Sequence, residues 1–131
     1  MSWIDQLSNA QAVWGVFPNG DVPLTNLLLL EFKYSPSNRL TVALASTVLP
    51  SRLPDRWLER GVQAIELRFD LGTVALEINV PKELGESPML SASLSDGVFE
   101  VRSQESHDYF SLKARVFSAQ LLAQPVDLQS L

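Results

Sequence analysis

The chain contains no cysteine. That excludes disulfides, thiolate metal ligands and a cysteine nucleophile, and it fits a reducing compartment. Histidine is almost as scarce: the single His107 lies in the polar run Gln104-Glu105-Ser106-His107-Asp108. One histidine and no cysteine leave too few nitrogen and sulfur ligands for a zinc site. A serine triad would have to use His107 with Asp108, yet neighbours on an extended chain point apart and no serine has a nucleophile-elbow context. His107 therefore reads as an exposed turn residue. The six glycines stand singly at turns, so none builds a phosphate-cradling loop. Long apolar runs are missing too. The longest, LLLL at 27–30, is far below the roughly 20 residues needed to cross a bilayer. The opening MSWIDQLSNAQ has no basic region followed by an apolar run and is not expected to act as a secretory signal.

Basic residues are outnumbered. Ten Lys and Arg against fifteen Asp and Glu give a net charge of −5. This argues against direct nucleic-acid binding, which needs clustered cations to replace counterions. The aromatic residues do not sit among Lys and Arg, so no base-stacking surface is indicated. No basic amphipathic helix points to a membrane surface. The expectation is a soluble, cytoplasmic protein with no catalytic residue, no cofactor and no metal.

What is present is the composition of a globular domain: 131 residues, 46% apolar and 19% charged. One domain over residues 1–131 is expected, large enough to bury a core without covalent staples. The strongest pattern lies at 62–80, VQAIELRFDLGTVALEINV, where apolar and polar residues alternate twice over. A turn at Leu71-Gly72 would set Phe69 opposite Val74, Leu67 opposite Leu76 and Ile65 opposite Ile78, all leaving by one face. The sequence thus predicts a central β-hairpin.

Upstream, Ser2 can cap a short helix whose buried stripe is Trp3, Ile4 and Leu7. A second apolar piece, residues 12–17, is too short to assign as helix or strand. A strand follows over 25–34, with Leu28, Leu30, Phe32 and Tyr34 on one face. Ser35-Pro36-Ser37-Asn38 returns the chain to a strand that buries Leu40, Val42 and Leu44. In the long loop 50–61, DRWLERG adds a helical turn closed by Gly61. Beyond a loop at 81–86, Asp96-Gly97 is a type I′ signature. It predicts a hairpin over 89–103, with Leu94 against Phe99 and Ala92 against Val101 on the buried side. Ser91 then meets Arg102, and Ser93 meets Glu100, on the exposed side. A last strand over 109–118 would bury Phe110, Leu112, Ala114 and Val116. The fold class is mainly β (α+β): an antiparallel, hairpin-rich curved sheet or open barrel of about seven strands, with a short N-terminal helix.

Charge is uneven along the chain. Residues 71–108 carry seven acids against the two bases Lys82 and Arg102, whereas residues 50–70 balance four against four. The predicted hairpin would bring Glu66 near Glu77 on its outer face, with Arg68 placed to neutralise Glu66 diagonally. Acids gathered on later loops and strands suit a cationic protein partner, because complementary charge speeds association.

The order of these features resembles the immunity protein 50 family of bacterial polymorphic-toxin systems. The matching pieces are the opening Trp3-Ile4 helix, a loop with Pro18 and Pro23, and the strand pair 27–34 and 40–48. The proline-rich PDRW step carrying Trp57 then leads directly into the alternating hairpin 65–80, and a short-strand C-terminal half completes the order. The resemblance implies a small cytoplasmic protein, monomeric or homodimeric, that binds and blocks a cognate protein toxin without catalysis. Glu66, Glu77, Glu100, Glu105, Asp108 and Trp57 are then the expected partner-binding residues. The alternative is a β-sheet module that holds an apolar ligand, with Leu27, Leu29, Trp14 and Phe17 lining a pocket, or that mediates oligomerisation.

Overall fold

A computed structural model describes residues 2–50, 52–79, 89–104 and 110–127. The chain opens with a 3-10 helical turn, Trp3–Gln6, capped as expected by Ser2, whose Oγ accepts from the Ile4 N–H at 3.3 Å. The apolar piece at 12–17 falls largely within a short helix, α1 (Ala10–Val16). A second helix, α2 (Asp55–Glu59), ends before Gly61, whose φ of +64° suits a residue without a Cβ.

The rest is one antiparallel sheet. Among the described residues it has six strands: β1 (Leu28–Ser35), β2 (Arg39–Ser46), β3 (Ile65–Asn79), β4 (Leu90–Ser95), β5 (Val98–Ser103) and β6 (Ser111–Pro125). Their order across the sheet is β1-β2-β3-β6-β5-β4. The fold class is as the sequence predicts, with one strand fewer and without closure into a barrel. Two hydrogen bonds between Leu27 and Leu90, 2.8 and 2.9 Å, join the chain just ahead of β1 to β4.

The β4–β5 hairpin matches expectation residue by residue, including Leu94↔Phe99, Ala92↔Val101, Ser91↔Arg102 and Ser93↔Glu100. Asp96 and Gly97 both take positive φ, 52° and 76°, as a type I′ turn requires. The central hairpin does not form. Residues 65–79 run straight through Leu71-Gly72 as a single strand, and β3 lies against β6 over its whole length, from Ile65↔Pro125 to Asn79↔Ser111. Phe69 faces Val42 on one side and Leu121 on the other, not Val74.

The reason lies in two bulges. The register passes from Gly72↔Ser118 to Thr73↔Val116 and then to Ala75↔Arg115, so Phe117 is extra on β6 and Val74 is extra on β3. Each extra residue shifts the side-chain alternation by one. Leu67, Phe69 and Leu71 point to the core before the bulge, and Leu76 packs on it after the bulge. A turn would shift the phase in the same way. Val74, expected inside, is instead 67% exposed. Thr73 fills the break: its N–H and Oγ1 both donate to the Asn38 carbonyl, at 2.9 and 3.0 Å.

A bulge also alters β1. The register there skips Leu30, so Leu29 pairs with Leu44 and joins the face of Phe32 and Tyr34, while Leu28 pairs with Ala45 on the other. The expected stripe of Leu28, Leu30, Phe32 and Tyr34 is broken, and Leu30, Phe32 and Tyr34 stay substantially exposed. β2, in contrast, buries Leu40, Val42 and Leu44 completely.

The core sits in the concave side of the curled sheet. Phe69 on β3 and Phe99 on β5 have ring centroids 4.9 Å apart although β6 runs between their strands. Trp3 also packs against Phe69, with ring centroids 6.5 Å apart. β6 runs seven residues past the predicted end, and β5 pairs with it only as far as Val98↔Arg115. The N-terminal segment takes over the next part of that edge. Ser8 donates from its backbone to the Ala119 carbonyl at 2.8 Å, and the Asn9 amide exchanges bonds of 2.8 and 3.2 Å with the Leu121 backbone. Asn9→Ala leaves both Leu121 groups unpaired at a half-buried edge and is expected to cost about 1–3 kcal/mol, measured by urea unfolding; a change within error would show that water replaces the amide there.

Candidate functional site

The outer face of the sheet runs the length of β3 and β6 and falls into two charged zones around an apolar centre. In the first zone, Glu66 is only 7% exposed. Arg68 holds it at 3.0 Å and bonds Glu31 at 3.2 Å, while the Gln124 amide donates to the second Glu66 oxygen at 2.8 Å. Burial by itself lowers the Arg68 pKa, but the hydrogen bonds and charges of Glu31 and Glu66 outweigh it, and the net shift is upward. Beside this group, Thr41 donates to Asp70 at 2.9 Å. The expected neutralisation of Glu66 by Arg68 is present, and it makes this zone a closed, self-satisfied network.

The second zone lies beyond the bulges. Lys113 on β6 sits in register between Glu77 on β3 and Glu100 on β5. One row further, Ser111 lies between Asn79 and Arg102, and Arg102 forms a 3.6 Å ion pair with Glu100. These side chains border an open concavity of about 830 Å³. The Arg102 side chain is 69% exposed and that of Glu100 32%, so solvent reaches this zone as it does not reach Glu66.

Between the zones stand the two bulged residues. Phe117 is 72% exposed and Val74 67%. The Phe117 ring covers Gly72, where an added Cβ would lie 2.5 Å from its Cζ. Glycine at 72 therefore gives the ring a seat against the backbone, which explains its place in mid-strand better than a turn does.

The expected partner-binding residues separate in space. Glu77 and Glu100 share the open zone. Glu66 lies eleven residues from Glu77 on one strand, about 35 Å along it, so the two are not neighbours across a hairpin. Trp57 is 3% exposed and belongs to the core. Glu105 and Asp108, like His107 and the loop at 81–86, lie outside the described residues. Of the alternative set, Leu27 and Phe17 are fully buried in the core, Leu29 is 37% exposed on β1, and Trp14 donates its indole N–H to Asp5 at 2.9 Å. Phe117 escaped the sequence reading. The signal was the adjacent pair Val116-Phe117, after which the apolar positions change from even to odd numbers.

Among the described residues, no group of three or more His, Cys, Asp or Glu is arranged to hold a metal, and no helix is long and apolar enough to cross a membrane. No family model, curated protein or solved structure matches the chain.

Proposed function

We propose that this chain is an immunity protein that binds a cognate bacterial toxin and neutralises it by steric and electrostatic blockade, with the outer face of β3, β5 and β6 as the docking surface. The observation that carries this reading is the pairing of an exposed, seated aromatic ring with an accessible charged concavity. Phe117 and Val74 supply apolar area held in place by the bulges, and Glu77, Glu100, Lys113 and Arg102 supply the charged border. Interfaces are built this way, with an apolar centre that excludes water and a polar rim that sets orientation. The resemblance of the opening helix, the β1–β2 pair and the PDRW step to the immunity protein 50 family supports this reading; the hairpin expected at 65–80 does not, since that segment is one strand. On this reading the protein acts in the cytoplasm of the producing cell, without a cofactor, and contacts neither nucleic acid nor membrane.

The test uses the toxin domain encoded beside this chain's gene, with association followed by biolayer interferometry. Phe117→Ala should weaken affinity by about 30-fold or more, the size of an interface hot spot. The double charge reversal Glu77→Lys/Glu100→Lys should slow association several-fold at low salt and flatten its salt dependence. Wild-type kinetics in both variants would remove this face from the interface, and absence of any complex would remove the immunity reading.

A further inference from the structure

We propose that β1 is a self-association edge, at which two copies of this chain pair their β1 strands antiparallel about Phe32 and join two six-stranded sheets. This edge is separate from the docking face and does not depend on the toxin-binding reading. β1 ends the sheet, and among the described residues its strand pairing is to β2 alone. Edge strands usually discourage pairing with short length, prolines, charges or bulges. β1 has a bulge at Leu30 and the charges of Glu31 and Lys33, yet it spans eight residues without proline and presents Leu30, Phe32 and Tyr34 at 37%, 36% and 43% exposure.

What selects a second copy as the occupant is the charge pattern. Glu31 and Lys33 pair with Ala43 and Thr41 and so project from the same face, on either side of Phe32. In a two-fold antiparallel pair centred on Phe32, Glu31 of each copy faces Lys33 of the other and Phe32 faces Phe32. The two neighbouring registers on the same faces fail. Centring on residue 31 sets glutamate against glutamate, and centring on residue 33 sets lysine against lysine, which is destabilising directly across a ladder. The strand is thus self-complementary in one register, as an isologous interface requires. Arg68 engages Oε2 of Glu31 within the chain. A carboxylate accepts at both oxygens, so Oε1 can receive the partner's Lys33 ammonium.

Sedimentation equilibrium of the full chain tests this. The wild type should dimerise over the micromolar range. Lys33→Glu, which leaves the Arg68–Glu31 pair intact, and Glu31→Lys should each raise the dissociation constant at least about tenfold, because both cross-strand contacts become repulsive. An equimolar mixture of the two variants should recover a dimer of near wild-type strength, since each contact is again lysine against glutamate. Circular dichroism of each variant verifies that it is folded. A monomeric wild type, a Lys33→Glu dimer of unchanged strength, or no heterodimer in the mixture would each overturn the proposal.

Discussion

Phe69→Ala is expected to destabilise the protein by about 3–5 kcal/mol, the range for deleting a buried aromatic ring. For a chain of this length that corresponds to a fall in Tm of about 10–20 °C. Phe69 is 1% exposed and stands where the curled sheet meets itself and the N-terminal turn. It touches Phe99, two strands away, and Trp3, sixty-six positions earlier. Removing it leaves a cavity bordered by rigid strands and by the Trp3 indole. The strands cannot close the gap without breaking ladder bonds, so little of the loss is recovered by relaxation. Differential scanning calorimetry measures the shift, and a loss below about 1 kcal/mol would show that Trp3 collapses into the space. Near-ultraviolet circular dichroism separates the two cases, since collapse would change the tryptophan environment.

Arg68→Ala is expected to cost about 1–3 kcal/mol, because it leaves Glu66 buried with Gln124 alone. The full penalty for an orphaned buried charge is larger, but the Arg68 side chain is 33% exposed and solvent screens part of the interaction. The diagnostic is a second change. Glu66→Gln removes the buried charge and keeps an oxygen to accept from Gln124, so Arg68→Ala/Glu66→Gln should be more stable than Arg68→Ala alone. Guanidinium unfolding of the four proteins in this cycle measures the coupling. If the double variant is no more stable than the single one, Arg68 acts through its stem packing over Ala43 and not through charge. The raised Arg68 pKa fixes the sign of any pH effect. A group with its pKa raised on folding stabilises below its unfolded pKa and loses that contribution only as pH climbs through the folded one. Both lie in the strongly alkaline arginine range, so this pair should hold at any pH where Glu66 is ionised.

Legibility differed from one strand pair to the next. The β4–β5 hairpin could be read in full because Asp96-Gly97 supplies both positive-φ residues of the turn, and the alternation on each side agrees with that turn. Local chemistry alone specifies it. The Ser2 cap and the helical turn ended by Gly61 were legible for the same reason, since each depends on residues close in sequence. β1 was legible as a strand but not in its facing, because nothing in LLLLEFKY marks which leucine is skipped.

Residues 62–80 show the limit most clearly. Two alternating runs with a change of phase between them are equally the signature of a tight hairpin and of one bulged strand. In both cases Leu67 and Phe69 before the break, and Leu76 after it, turn to the same core. The glycine at the break fits either: a turn uses its freedom of φ, and a bulged strand uses its missing side chain. What decides is the partner. β2 pairs with β3 from Ile65 up to Gly72, and β6 pairs with it past that point to Asn79, so both sides of the supposed turn are already committed to neighbours. Those neighbours lie up to sixty residues away, and no local pattern reports them. The same commitment separates Glu66 from Glu77 and divides one imagined acidic patch into a closed network and an open concavity. The sequence by itself determined that this is a β protein, which side chains its β4–β5 hairpin buries, and where its tightest turn falls, because those follow from periodicity and turn chemistry. Only the tertiary structure decided that its longest alternating segment is continuous and that Phe117 stands exposed at its centre, because long-range pairing, not local preference, chooses between a turn and a bulge.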